Sequence, residues 1–203
     1  MEDKIRKVLS NLNRQANKER RGNARVAADQ QMLAITADTG IFFSILLKTM
    51  RARHILEVGT STGFSTLWFA DAITRTDTRH SIITIEQDHR KAERARQNFQ
   101  RAGIDRTIEI REGRAIDVLQ QIKKRNFFDF VFLDADKENL VEYFDLVLPM
   151  VRRGGIIAAD NMLYPEQYRQ WMKRYIRHVR SKSTVQSITV PIGMGEEITL
   201  RLR

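Results

Sequence analysis

The sequence predicts a doubly wound α/β sheet of seven strands, mostly parallel, with helices on both faces and an antiparallel C-terminal hairpin strand. Three observations predict it. Five short segments rich in β-branched and aromatic residues recur between residues 51 and 160. Stretches with helical spacing separate them, and strand–helix–strand alternation implies a parallel sheet covered on both faces by right-handed connections. After residue 180 two further strand-like segments flank a short "GMG" turn, which reads as a hairpin.

Taken in order, the chain opens with an apolar stripe, Ile5, Val8, Leu9 and Leu12, on a predicted helix. "RQANKERRGNAR" (14–25) reads as a basic, glycine-interrupted link. A further helix is expected from Ala37 or Asp38 to about Met50. The parallel strands are "HILEVG" (54–59), "SIITIE" (81–86), "TIEIRE" (107–112), "FDFVFLD" (128–134) and "GIIAAD" (155–160). Ala92, Ala95, Phe99 and Ala102 share one helical face, and Val141, Phe144, Leu148 and Val151 share another. "EQYRQWMKRYIRHVR" (166–180) sets Tyr168, Trp171, Met172, Tyr175, Ile176 and Val179 on one face, with Arg169, Lys173, Arg177 and Arg180 off it. The hairpin strands are 184–192 and 196–203. One domain over residues 1–203 is expected, residues 1–50 forming a helical segment packed on the core.

Composition narrows the chemistry. The absence of cysteine excludes disulfides, thiolate nucleophiles and zinc–sulfur sites, and four scattered histidines form no ligand pattern. No apolar run is long enough for a bilayer and the N-terminus lacks an apolar signal core, so the expectation is a cytoplasmic protein with no membrane partner. A net charge of +10 suits nucleic acid, an anionic surface or an acidic substrate, or is simply a solvated basic exterior.

Ligands of an open α/β sheet bind beyond the carboxyl ends of its strands. After the first strand comes "EVGTSTGFST", in which Gly59 and Gly63 permit close backbone approach, and Ser61, Thr62 and Ser65 offer hydroxyls at a helix start. The spacing departs from the G-x-G-x-x-G dinucleotide fingerprint of the Rossmann-like sheet. Glu57, inside the strand, would repel a pyrophosphate, and Glu86, closing the second strand, suits a ribose diol. Together they favour a sulfonium ligand, S-adenosylmethionine. Asp134 ends strand four, and Asp160 with Asn161 ends strand five. Their carboxylates and amide offer a hard-cation site of the Mg2+ type. Lys137, near that charge, is the candidate general base, whereas Asp136 reads as a helix N-cap and Glu138 as first-turn chemistry.

"LEVGTSTGFST", "TIEQDHRKAERA", "FDFVFLDADK" and "GGIIAADNML" resemble the cation-dependent class I S-adenosylmethionine O-methyltransferases, the caffeoyl-CoA and catechol O-methyltransferase group, over roughly residues 30–163. The resemblance implies that Gly59 and Ser65 touch the methionine part of the donor, with Ser61 in the same turn. Glu86, followed by Gln87, holds the ribose, and Ala115, after Gly113, lies by the adenine. Glu57 supports the glycine turn and the donor's amino end, while Ile35 and Thr36, within "ITADTGIFFSILLK", close the pocket. Asp134, Asp160 and Asn161 hold the cation, Asp134 also bordering the donor, and Lys137 is the base.

Two departures bear on the acceptor. "DNMLYPEQYRQ" lacks the insertion usual after the Asp-Asn pair, and Met194 stands where relatives often carry an acid between glycines. The expected acceptor is a small hydroxylated aromatic of the catechol kind. The alternative is a hydroxylated base in tRNA of the 5-hydroxyuridine type, favoured by the net charge, by Lys18, Arg20, Arg21 and Arg25, and by the basic side of 166–180. An NAD-dependent dehydrogenase and a non-catalytic nucleic-acid-binding protein are the competing classes. The missing third fingerprint glycine argues against the first, and the complete metal and base set against the second. A homodimer is expected, for which the N-terminal stripe is available unless it packs on its own domain.

Overall fold

The computed structural model describes residues 3–22, 31–73 and 81–203. Its helices are α1 (Asp3–Arg20), α2 (Ala37–Thr49), α3 (Phe64–Ile73), α4 (His89–Ala102), α5 (Ala115–Gln121), α6 (Leu140–Val147) and α7 (Arg169–Arg180). Its strands are β1 (His54–Val58), β2 (Ser81–Glu86), β3 (Ile108–Glu112), β4 (Phe128–Leu133), β5 (Val151–Ala159), β6 (Val185–Val190) and β7 (Glu196–Arg201). They form one seven-stranded sheet in the order β3-β2-β1-β4-β5-β7-β6. β1 to β5 are parallel, and β7 runs antiparallel between β5 and β6.

Each face carries its own core. On one, Phe43 of α2 meets Phe130 and Phe132 of β4 with ring centroids 5.4 and 5.2 Å apart, and Phe69 of α3 meets the same two rings at 5.5 and 5.4 Å. The N-terminal stripe is buried in this cluster with Ala95, Phe99 and Ala102 of α4, so it packs on its own domain. On the other face, Phe144 of α6 packs edge-on to Tyr175 of α7, above Val131 and Leu133. Side chains that alternate across the strands supply both cores, which is why β4 is buried throughout and apolar at every position but Asp129.

Three expectations change. The basic link is helical through Arg20, so Lys18 and Arg20 lie on α1, and Arg25 lies outside the described residues. The buried face of α6 is Leu140, Tyr143, Phe144 and Val147. Val151 belongs to β5, because Pro149 falls in a 3-10 turn that breaks the helix first. β5 therefore begins at Val151 rather than residue 155, and its pairing with β4 slips between Phe128 and Phe130. Gly154, at φ +71°, permits that slip. Of the predicted α7 face, Met172, Tyr175 and Val179 are fully covered, while Tyr168, Trp171 and Ile176 are half-buried. Among the described residues, no helix is long and apolar enough to cross a membrane.

Candidate active site at the carboxyl rim of the sheet

The strand registers place the site. Val58 pairs with Ile85 and with Leu133, Leu133 pairs with Ala159, and Ala159 pairs with Glu197. One residue further on, the same registers line up Glu86, Gly59, Asp134, Asp160 and Glu196 in a single row across β2, β1, β4, β5 and β7. Paired residues point to the same face. Four carboxylates thus share one rim, interrupted only by a residue without a side chain. With strands ~4.8 Å apart, Glu86 and Asp160 stand about 14 Å from one another.

Gly59 has φ +102°, and a methyl group on it would lie 1.9 Å from the Asp134 carbonyl oxygen. The backbone amide of Asp134 in turn donates to Val58 O at 2.8 Å, which locks the two strand ends together. The turn that follows is organised by two acids. Glu57 is fully buried and accepts from Ser65 Oγ at 2.5 Å, Thr66 Oγ1 at 2.5 Å and Thr84 Oγ1 at 2.7 Å. Burial pushes its carboxyl up to about 7 in spite of those three donors. Glu86 accepts from the Ser61 amide at 2.7 Å and the Asp88 amide at 2.9 Å, one on each oxygen. Each oxygen of Glu86 keeps a lone pair for a further donor.

Ser61 (φ +47°) donates its hydroxyl to Met32 O. Ile35 is buried in the α2-side core, and Thr36 caps α2, accepting from the Thr39 amide at 3.1 Å. Gln87 is exposed, and Gly113 donates its amide to Glu86 O at 2.9 Å, just ahead of half-buried Ala115.

At the other end of the row, Lys137 is buried with its Nζ 3.1 Å from Asp134 Oδ1. Asp160 accepts from the Asn161 amide at 2.6 Å, and Asn161 sits in the left-handed region at φ +68°. Burial, then the charge of Asp134, pushes the Asp160 carboxyl well above the usual range. Sequence reasoning missed Glu196. It is fully buried, no donor other than the facing Asp160 carboxyl is available to its oxygens among the described residues, and burial followed by that carboxyl pushes it up. Its signal was topological. β7 runs antiparallel beside β5, so it starts at the rim where β4 and β5 end, and its first residue joins their last. Its neighbour Glu197 is also buried but is satisfied by Arg180, Ser187 and Thr189.

Asp136 is not a side-chain cap. Its carboxylate accepts from Tyr143 Oη at 2.5 Å and from Asn139 Nδ2. The 3-10 turn over Lys137–Asn139 leaves no first-turn amide facing it and swings Asn139 and Tyr143 toward it instead. Among the described residues, no three His, Cys, Asp or Glu side chains are gathered as a metal site. The predicted set contains only two, with the Asn161 amide as the third donor. Of the basic residues singled out on α7, Arg169 pairs with Glu166 and Arg180 with buried Glu197, leaving Lys173 and Arg177 exposed on that side.

A 3-2-1-4-5-7-6 sheet whose ligand turn follows β1 is the architecture of class I methyltransferases. Within that class, the chain belongs to the O-methyltransferase family, which it matches over residues 7–201. It is 36% identical over 143 residues to a catechol O-methyltransferase of Niastella koreensis, covering 70% of this chain and 63% of that protein. It is 39% identical over 137 residues to a catechol O-methyltransferase of Mycobacterium tuberculosis, covering 68% and 60%. The aligned part is thus less than two thirds of either relative. An O-methyltransferase of Streptomyces achromogenes involved in tomaymycin synthesis, solved in complex with SAM, superposes with a TM-score of 0.80 at 26% identity, covering 100% of this chain and 91% of that one.

Proposed function

We propose that this chain is an S-adenosylmethionine-dependent O-methyltransferase that uses a divalent cation, Mg2+ in the first instance. Its acceptor is a hydroxyl of a small catechol-like or other hydroxylated aromatic. The observation that carries the reading is the row Glu86–Gly59–Asp134–Asp160–Glu196, in which a gap at Gly59 separates two acidic ends.

The residues fit both groups. For the donor, Gly59 leaves room over the rim, Ser65 stands at the helix start, and the free lone pairs of Glu86 suit a ribose diol. Gly113 and Ala115 lie beyond Glu86, on the side where an adenine would rest. For the cation, Asp134, Asp160 and the Asn161 amide are the donors, and the unpartnered Glu196 carboxyl leaves an excess of buried acid there. Held by Asp134, Asp160 and Asn161, a cation would supply Lewis acidity toward the acceptor hydroxyl, and the donor beside Gly59 and Glu86 would supply the methyl group. Lys137 receives the hydroxyl proton at Nζ, and the adjacent Asp134 carboxylate holds the resulting ammonium.

The tRNA reading draws support from the net charge and from exposed Lys173 and Arg177. Transfer of labelled methyl from S-adenosylmethionine to a catechol panel and to bulk tRNA, with and without chelator, tests both. Label in the catechols that chelator abolishes is expected. Label in tRNA alone selects the alternative, and label in neither contradicts both.

A further inference from the structure

α1 and α4 meet through narrow apolar stripes. Val8 and Leu12 of α1 are buried in the same core as Ala95 and Ala102 of α4. Alanine fills little volume, and a cavity of about 220 Å3 remains between the two helices, with Val8 and Leu12 as its floor. Its walls are polar: Asn11 and Gln15 come from α1, and Arg94, Gln97, Asn98 and Arg101 from α4.

The chemistry of these walls is one-sided. Among the described residues, no acidic side chain lines the cavity, whereas two guanidinium groups do. Arg94 and Arg101 stand seven residues apart on one helix, about 10 Å along its axis. Arg101 is exposed and has no acidic partner among the described residues. Three of the wall amides are already half engaged. Asn11 Oδ1 accepts from Arg14 at 2.5 Å, Gln15 Nε2 donates to Glu19 at 3.0 Å, and Asn98 Nδ2 donates to Thr62 O at 2.9 Å. This leaves Asn11 Nδ2 as a donor, and Gln15 Oε1 and Asn98 Oδ1 as acceptors. Guanidinium groups and an amide N–H select an oxyanion, and amide oxygens select hydroxyl donors. A carboxylate or phosphate that also carries hydroxyl groups satisfies both. The volume lies below the range of drug-sized pockets and suits a small metabolite.

Asn98 also reaches the turn that follows β1. It is 8% exposed, and the Thr62 carbonyl it holds lies between Gly59 and Gly63. The next residue of α4, Phe99, closes on Gly63 so tightly that a methyl group there would meet its ring at 2.4 Å. A ligand that draws on Asn98 Oδ1 therefore acts on a side chain bracing the donor turn. Coupling of this kind is reciprocal: each ligand changes the affinity for the other by the same factor.

We propose that the cavity between α1 and α4 is an effector site for a small hydroxylated oxyanion, bound by Arg101 and the wall amides and coupled to the donor turn through Asn98. Binding of the anion is independent of the reaction assigned above. The coupling alone rests on the donor reading.

Calorimetric titration of the full chain with citrate and with glycerol 3-phosphate, at constant ionic strength, tests the site. Saturable one-to-one binding of at least one of them is expected. It should weaken at least about tenfold in Arg101→Glu and stay unchanged in Arg177→Glu, at an exposed arginine of α7. Binding of citrate alone identifies a carboxylate as the anion, and binding of glycerol 3-phosphate alone identifies a phosphate. A saturating amount of the bound anion should change the affinity for S-adenosylhomocysteine about fivefold or more, and Asn98→Ala should remove that change. Binding of neither anion, or equal binding by the wild type and Arg101→Glu, overturns the site. Anion binding that leaves the S-adenosylhomocysteine affinity of the wild type unchanged overturns its role as an effector site. A wild type that binds the anion but no S-adenosylhomocysteine supports the site and contradicts the donor reading instead.

Discussion

Glu57 shows how one residue can be both sequestered and poised. Water does not reach it, three hydroxyls donate to it, and burial still holds its carboxyl at about 7 against an ordinary 4.5. The unfolded chain gives up this proton near 4.5 and the folded chain near 7. The stability Glu57 contributes is therefore complete below the lower value and lost as pH rises through the upper one. Wild-type protein should lose on the order of 3 kcal/mol between pH 4.5 and 7 relative to Glu57→Gln, read by urea denaturation across that range. Parallel curves for the two proteins would refute it. Lys137→Met should lower kcat about 10²- to 10⁴-fold while leaving affinity for S-adenosylhomocysteine unchanged, measured by calorimetry beside the methyl-transfer assay. The residue types at the rim were legible because a carboxylate ending an apolar strand has few structural uses. Glu196 was not, since two acids after a glycine turn read as solvent-exposed strand ends. Asp136 misled for a related reason: any acid before a helix suggests a cap, and only the path of the 3-10 turn directs it to Tyr143 and Asn139 instead.

Among the elements, the turn after β1 carries the tightest constraint. Gly59 needs both its positive φ and the absence of Cβ. Gly59→Ala should destabilise the fold by roughly 2 kcal/mol or more and abolish S-adenosylhomocysteine binding, as followed by thermal shift with and without that ligand. An alanine variant that binds normally would mean that the turn tolerates displacement of Asp134. The β-strands were readable from runs of β-branched and aromatic residues, and α4 from the periodicity of Ala92, Ala95, Phe99 and Ala102. The junction of α6 and β5 was not. Helical spacing alone carries Val141, Phe144, Leu148 and Val151 along one face, whereas Pro149 and the Gly154–Gly155 pair divide that run into a helix, a 3-10 turn and a slipped strand.

At the scale of the molecule, the sheet order decides what the acids can do. Parallel β1, β4 and β5 end at one rim, and antiparallel β7 begins there, which gathers residues 59, 134, 160 and 196 from segments far apart in sequence. The sequence implied the parallel part of that order. The place of β7 between β5 and β6 follows from hairpin packing that no local pattern records. The most direct test is a calorimetric Mg2+ titration of the protein saturated with S-adenosylhomocysteine, wild type against Asp160→Asn. One cation site in the wild type, weakened at least about tenfold in the variant, is the predicted result. No binding by the wild type, or equal affinity in both proteins, would contradict a cation site at this rim.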